Sequence, residues 1–330
     1  MMTAHPKRIP AAIIATGLAT LSLSVPVALA QPDGDRAVVA TALPVTHSIA
    51  AALTEGTSIE VRHVPAGGRR MAQQPDYFGR RAQSIAGELD DITAVITIGK
   101  LWNDDPLYTL ARAVNIRVVD IDATKPWSTQ LEGVAVATEP VTDARWTETA
   151  ATKGRLPSSF FWMSPANGAR AADIVGRDLM RLVPGAASLI EQNLASFRSE
   201  MLTLQTEYQL RLAELPDLTV AALAPEFIYL TNAFGIYVDS YFLKQDINWT
   251  DDDLTAFQRY LESNAIGVVI HKWEPDTPIA AAIENAGARL VVLDPIDLGI
   301  EEDDRIAPDS YQRLLRFNID AVYEALKQAQ

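Results

Sequence analysis

Cysteine is absent from all 330 positions, which excludes a disulfide framework, a thiolate nucleophile and any zinc site built on cysteine. Histidine is scarce. His5, His47, His63 and His271 are the whole supply, so imidazole chemistry has few places to occur. Basic residues are outnumbered 28 to 42, and a chain with that balance repels nucleic acid and anionic lipid. Past residue 30 no stretch is long and apolar enough to give the roughly 20 residues of a membrane-spanning helix. His-Glu-x-x-His, Gly-x-Ser-x-Gly and the phosphate-binding loop are all missing, which removes the common signatures of metallohydrolases, serine hydrolases and nucleotidases. The paired acids Asp104/Asp105 and Glu301/Glu302 are sequence neighbours that need not face one cavity, so they argue poorly for acid–base catalysis. Nothing points to an enzyme.

What is present begins with an address. Residues 1–30 run from Lys7 and Arg8 through an apolar stretch to Ala28-Leu29-Ala30, the order of a cleavable secretory signal peptide with an Ala-x-Ala site. Gly17 and Pro26 interrupt the stretch, which disfavours an uncleaved anchor. Cleavage leaves 26 basic against 42 acidic residues, a formal charge of −16. The mature protein is therefore expected outside the cytoplasm, in the periplasm, where capture or delivery of a solute is the leading class of function. Its roughly 300 residues can bury ample core in two lobes without staples.

Beyond the leader, apolar strands alternate with helical patterns. Residues 37–42, 58–64, 93–98 and 117–121 read as strands, with helices at 45–54 and 106–114 and a Pro65-Ala66-Gly67-Gly68 turn between. Strands alternating with helices imply an α/β lobe around a mainly parallel sheet with both faces covered. Residues 124–160 lack periodicity and read as long loops with at most one short hairpin. A helix follows from Pro165, closed by Pro184-Gly185, and then one from 187 to 215 with Leu189, Ile190, Leu194, Phe197, Met201, Leu204, Tyr208 and Leu212 on one face. That helix would be roughly 43 Å long. Pro216 ends it, and strands at 219–224, 267–270 and 289–293 alternate with helices near 229–234, 252–263, 277–286 and 310–327. The expected division is a signal peptide (1–30), an N-terminal lobe (31–185), a connecting helix (186–215) and a C-terminal lobe (216–330).

Six short segments in order give this chain a resemblance. They are Val38-Val39-Ala40-Thr41-Ala42-Leu43-Pro44, Pro65-Ala66-Gly67, Trp162-Met163-Ser164-Pro165, Val183-Pro184-Gly185 leading to Asn193, Phe234-Gly235-Ile236 and Leu293-Asp294-Pro295. Together they resemble the zinc- and manganese-type solute-binding proteins of metal ABC importers. The resemblance implies a monomer of two α/β lobes joined by a rigid helix, with a divalent transition metal (zinc or manganese) as the transported ligand and a membrane permease as partner. It also implies a cage of three histidines and one carboxylate. In this chain Met71, Phe160 and Ala224 stand where the histidines are expected, and only the carboxylate remains, as Asp294.

A closed zinc site needs about four N, O or S donors at roughly 2.0–2.3 Å, and Phe and Ala supply none. Donors must come from elsewhere, or the cargo must differ. Because ligands of open α/β sheets sit beyond the carboxyl ends of the strands, the candidate donors are Asp294, His47, His271 and Glu226, each just after a strand. Two imidazoles and two carboxylates would suit zinc or a similar ion, and affinity should then weaken as protons compete below roughly pH 6.5. His63 alternates with Val61 and Ile59 in its strand and reads as structural. Met71 and Met163 would suit Cu(I). Lys100, Trp102, Asp104 and Asp105 follow another strand end, and Arg69 and Arg70 beside Met71 would repel a bare cation. The second expectation is thus the same fold holding a metal chelate or organic anion, and the third an accessory protein with a vestigial metal site.

Overall fold

The computed structural model describes residues 37–143, 145–146 and 156–330. The signal peptide expected at 1–30 lies outside the described residues. The first sheet is built from β1 (Val38–Thr41), β2 (Glu60–His63), β3 (Ala94–Thr97) and β4 (Val119–Asp122), ordered β2-β1-β3-β4 and parallel throughout. Its helices are α1 (Pro44–Thr54), α2 (Gln74–Leu89) and α3 (Leu107–Val114). Successive β1 residues face opposite ways, as the period of two requires. Val38 and Ala40 join the core under α2 and α3, while Val39 enters a second, larger core.

Two helices lead to the second lobe. α4 (Pro165–Leu182) starts where the Ser164 hydroxyl accepts the Asn167 N–H with Pro165 in the first turn, the usual chemistry of a helix start. α5 (Ala187–Ala213) has 27 residues, about 40 Å of helix. It buries Ile190, Leu194, Phe197, Met201, Leu204, Tyr208 and Leu212, a stripe at three- and four-residue spacing. Asn193 donates its side-chain amide to the carbonyls of Leu53 and Glu55. That caps the otherwise unsatisfied C-terminal end of α1.

The second sheet repeats the theme with β5 (Thr219–Ala222), α6 (Ile228–Phe234), β6 (Tyr237–Tyr241), α7 (Asp251–Ser263), β7 (Val268–His271), α8 (Thr277–Asn285) and β8 (Arg289–Val292). Its order is β6-β5-β7-β8, again parallel. A small antiparallel pair, β9 (Glu301–Glu302) and β10 (Arg305–Ile306), precedes α9 (Ser310–Gln328). Val220, Ala222, Val268 and Ile270 enter the same large core as Val39, while Ala221 and Val269 face α7 and α8. One hydrophobic core therefore runs under both sheets through α4, α5 and α9. Among the described residues no helix is long and apolar enough to cross a membrane.

Besides the two-residue strands β9 and β10, too short to show a period, two longer elements escape the sequence pattern, each for a physical reason. α2 has only Phe78, Ile85 and Leu89 as fully buried large apolar residues, too sparse a stripe to read. β6 is an edge strand, and Tyr237 is 61% exposed, so its alternation is blurred. By contrast α7 begins on a full capping box between Thr250 and Asp253. Thr250→Ala is expected to lower stability by about 1 kcal/mol, read as a lower urea midpoint at unchanged slope. No shift would mean that the three aspartates of the first turn hold this helix end without it.

Candidate functional site: the cleft between the sheets

A cleft of ≈ 760 Å³ opens at the carboxyl ends of the strands of both sheets. Arg70, Met71 and Gln73 reach it from the loop after β2, Trp102 and Asp104 from that after β3, and Glu139, Ser159 and Phe160 from the long segment after β4. From the second lobe come Glu226 after β5, Lys272 and Trp273 after β7, and Pro295 and Asp297 after β8. Parallel strands all end on the same side, which explains why distant loops converge there. Met71 and Phe160 lie in its wall, so two of the three positions where the resemblance expects histidine do face the cleft. Ala224 is 1% exposed.

The four expected donors do not assemble. Among the described residues no group of three or more His, Cys, Asp or Glu is placed to hold a metal ion. Of the four, Glu226 lines the cleft; His47, His271 and Asp294 are not in its wall. His47 sits in the first turn of α1, 3.3 Å through Nδ1 from Thr41 Oγ1, with its ring edge-on to His63 at 5.3 Å. Burial first, then the neighbouring His63, lowers its pKa to about 3. His63 lies within hydrogen-bond distance of Pro65 O, 2.8 Å from Nδ1, and burial lowers it to about 4. His271 ends β7, 3% exposed, with its ring 4.8 Å from that of Trp273. Burial first, then Lys272, lowers it to about 4 against the opposing pull of Asp246. Protons therefore compete for these nitrogens far below pH 6.5.

Asp294 has a structural task. Its Oδ1 accepts the N–H of Ile296 at 2.6 Å, and the Asn318 side chain bridges its backbone N–H and C=O at 2.8 and 2.7 Å. Ile296 is a buried β-branched residue at φ 57, a conformation that costs energy unless the surroundings enforce it. The carboxylate thus holds a strained turn that aims Pro295 and Asp297 at the cleft. Met163 is wholly buried, with its sulfur 3.8 Å from Asn318 Nδ2, and does not join Met71 in a copper site.

What the cleft does hold is charge pairs between aromatic walls. Arg70 donates to Asp297 Oδ1 at 3.0 Å, joining residues 227 apart in sequence and reaching from one lobe to the other. Lys272 pairs with Glu226 Oε1, and its ammonium lies 4.7 Å over the Trp273 ring. Burial and the nearby Glu226 raise the pKa of Glu139. Burial likewise raises that of Asp297 against the opposing pull of Arg70. Trp102, Asp104 and Arg70 stand out in the sequence by position alone. Glu139, Lys272, Trp273 and Asp297 do not, although Lys272-Trp273 at a strand end was the available signal. Asp105 turns away from the cleft. It accepts the N–H groups of Ile98 and Leu107 at 3.0 and 3.1 Å, and burial raises its pKa to about 6.

Residues 128–325 match the family model described as zinc-uptake complex component A periplasmic. No curated protein matches. Among solved structures, a mutant of FpvC from Pseudomonas aeruginosa is 19% identical, with 88% of this chain and 99% of that one covered and a TM-score of 0.70. The solute-binding protein FpvC from Pseudomonas aeruginosa in complex with Mn2+ is 18% identical, with 90% and 100% covered and a TM-score of 0.67. A crystal structure of ZnuA is 19% identical, with 89% and 98% covered and a TM-score of 0.63. At such identities the likeness establishes the fold.

Proposed function

The chain belongs to the zinc-uptake complex component A periplasmic family, and from that membership we propose that it is the extracytoplasmic capture component of a metal-type ABC importer. It takes a divalent transition metal, zinc or manganese, into the cleft and hands it to a membrane permease. It works as a monomer by binding and release and catalyses no reaction. The proposed division is a signal peptide at 1–30, lobes at 31–185 and 216–330, and the helix at 186–215 as the rod between them. The observation that carries this reading is the convergence of both sheets' strand ends on one cleft, where this architecture places its ligands. FpvC with Mn2+ and FpvC with Ni2+ supply the metals bound by similar folds.

The test is metal content and uptake in the native strain. Protein released from the periplasm without chelator should carry close to one transition metal per chain, and deletion of its gene should lower cellular accumulation of that metal. Metal-free protein together with unchanged accumulation would sink the reading.

A further inference from the structure

We propose that the cleft receives its metal as an amino-acid chelate, the chelator coordinating the ion and the protein holding the chelator. This rests on the capture reading above and names the form in which the cargo enters. The residues present do not fit a bare ion. Four donors are needed for a closed zinc site, and no group of three His, Cys, Asp or Glu is placed for one among the described residues. Two of the facing positions are instead Met71 and Phe160. Arg70 and Lys272 line the wall already paired with Asp297 and Glu226, so a naked dication would have to displace a fixed cation to reach either carboxylate.

The same wall is well suited to an organic ligand. Glu226 has a side chain 10% exposed, and its Oε2 is buried with no hydrogen-bond partner among the described residues. A buried acceptor without a donor costs free energy, and an amine N–H entering the cleft would satisfy it. Lys272 and Arg70 each engage one carboxylate but carry three and five N–H donors respectively, leaving donors for a ligand carboxylate. Trp102, Phe160 and Trp273 line the same wall, and aromatic side chains are the kind on which a flat heterocycle stacks. A volume of ≈ 760 Å³ falls in the range of small-molecule sites, about 300–1,000 Å³, and far exceeds what one ion occupies. Amine donor, carboxylate and flat ring on a metal describe a chelate such as zinc with two histidines.

The experiment uses the untagged mature chain, titrated calorimetrically with the 1:2 zinc–L-histidine complex, with zinc chloride and with L-histidine. The complex should bind at least tenfold more tightly than either component. Glu226→Gln and Trp273→Ala should each weaken the complex at least tenfold while leaving the melting temperature of the unliganded protein nearly unchanged. Zinc alone binding as tightly as the complex, with both variants silent, overturns the chelate proposal and leaves metal capture standing. Histidine alone binding as tightly as the complex overturns the chelate proposal and speaks against metal capture as well. No binding of any probe overturns the chelate proposal, and the metal-accumulation test then decides the capture reading separately.

Discussion

Replacing Tyr311 by alanine is expected to cost about 3–5 kcal/mol of stability, the range for removing a large buried aromatic ring. Tyr311 opens α9 and is wholly buried. Its backbone N–H donates to Ser48 Oγ on α1 at 3.2 Å, and its hydroxyl donates to the Trp162 carbonyl at 2.8 Å. The Trp162 indole N–H in turn donates to the Pro295 carbonyl at 2.9 Å, and the Tyr311 ring lies 6.5 Å from that of Phe197 on α5. Tyr311 thus ties the returning C-terminal helix to α1 through its backbone N–H and, through its hydroxyl and Trp162, to the turn that frames the cleft. Tyr311→Phe isolates the polar share, leaving the Trp162 carbonyl without its donor at about 1–3 kcal/mol. Gly168 provides a second approach from the opposite side, because a Cβ there would meet the Tyr311 hydroxyl at 2.2 Å and its Cζ at 3.0 Å. Gly168→Ala should therefore cost about 1–3 kcal/mol by overpacking, and much less when combined with Tyr311→Ala, since the two changes act on one contact. Urea midpoints at constant slope measure all four chains. A Tyr311→Ala loss below about 1 kcal/mol would show that α9 is not the clamp described.

The order of elements was readable because burial on both faces makes parallel strands continuous apolar runs. Val38–Thr41, Ala94–Thr97 and Val268–His271 are buried at every position. The α5 stripe was readable for the complementary reason, since a long helix against one core must repeat its apolar side chains every three or four residues. The site was readable only as departures from an expected cage. Met71 and Phe160 mark the cleft wall, but what replaced the cage depends on pairs far apart in the chain, Arg70 with Asp297 and Glu226 with Lys272. Strand-end position alone brings a residue near the cleft without fixing where its side chain points. His47 turns toward His63, and Asp294 turns back on its own loop to restrain Ile296. Local hydrogen bonds settled those directions, and none of them has a sequence signature.

Acidification should unfold this protein well before its carboxylates are fully protonated. His47, His63 and His271 have folded pKa values of about 3, 4 and 4, below the ordinary 6.5, chiefly because burial disfavours the imidazolium. A lowered base means that the unfolded chain binds the extra protons, so the stability these groups allow is fully present above pH 6.5 and is lost as pH falls from 6.5 toward 4 and 3. Near pH 5 three protons separate the two states, a slope of about 4 kcal/mol per pH unit from the imidazoles alone. Asp105 acts with the opposite sign. Its pKa, raised to about 6, lets the folded state hold a proton that the unfolded state has released, so the net slope near pH 5 falls to about 3 kcal/mol per pH unit. Other carboxylates raised by burial, among them Asp120, Glu139 and Asp297, temper it further as pH drops. Subtraction removes that background. His63→Asn and His271→Gln should each flatten the pH dependence of the urea-derived stability by about 1.4 kcal/mol per pH unit between pH 6 and 5, whatever each substitution does to stability at pH 7. A parallel pair of curves for wild type and either variant would place that histidine in contact with water and refute the buried neutral ring. Because the imidazoles stay neutral in the folded state through most of this interval, titration of His47, His63 and His271 should add nothing to the pH dependence of ligand binding between pH 7.5 and 5.5, while stability declines. Protonation of these rings in this interval is thus coupled to unfolding and not to ligand release.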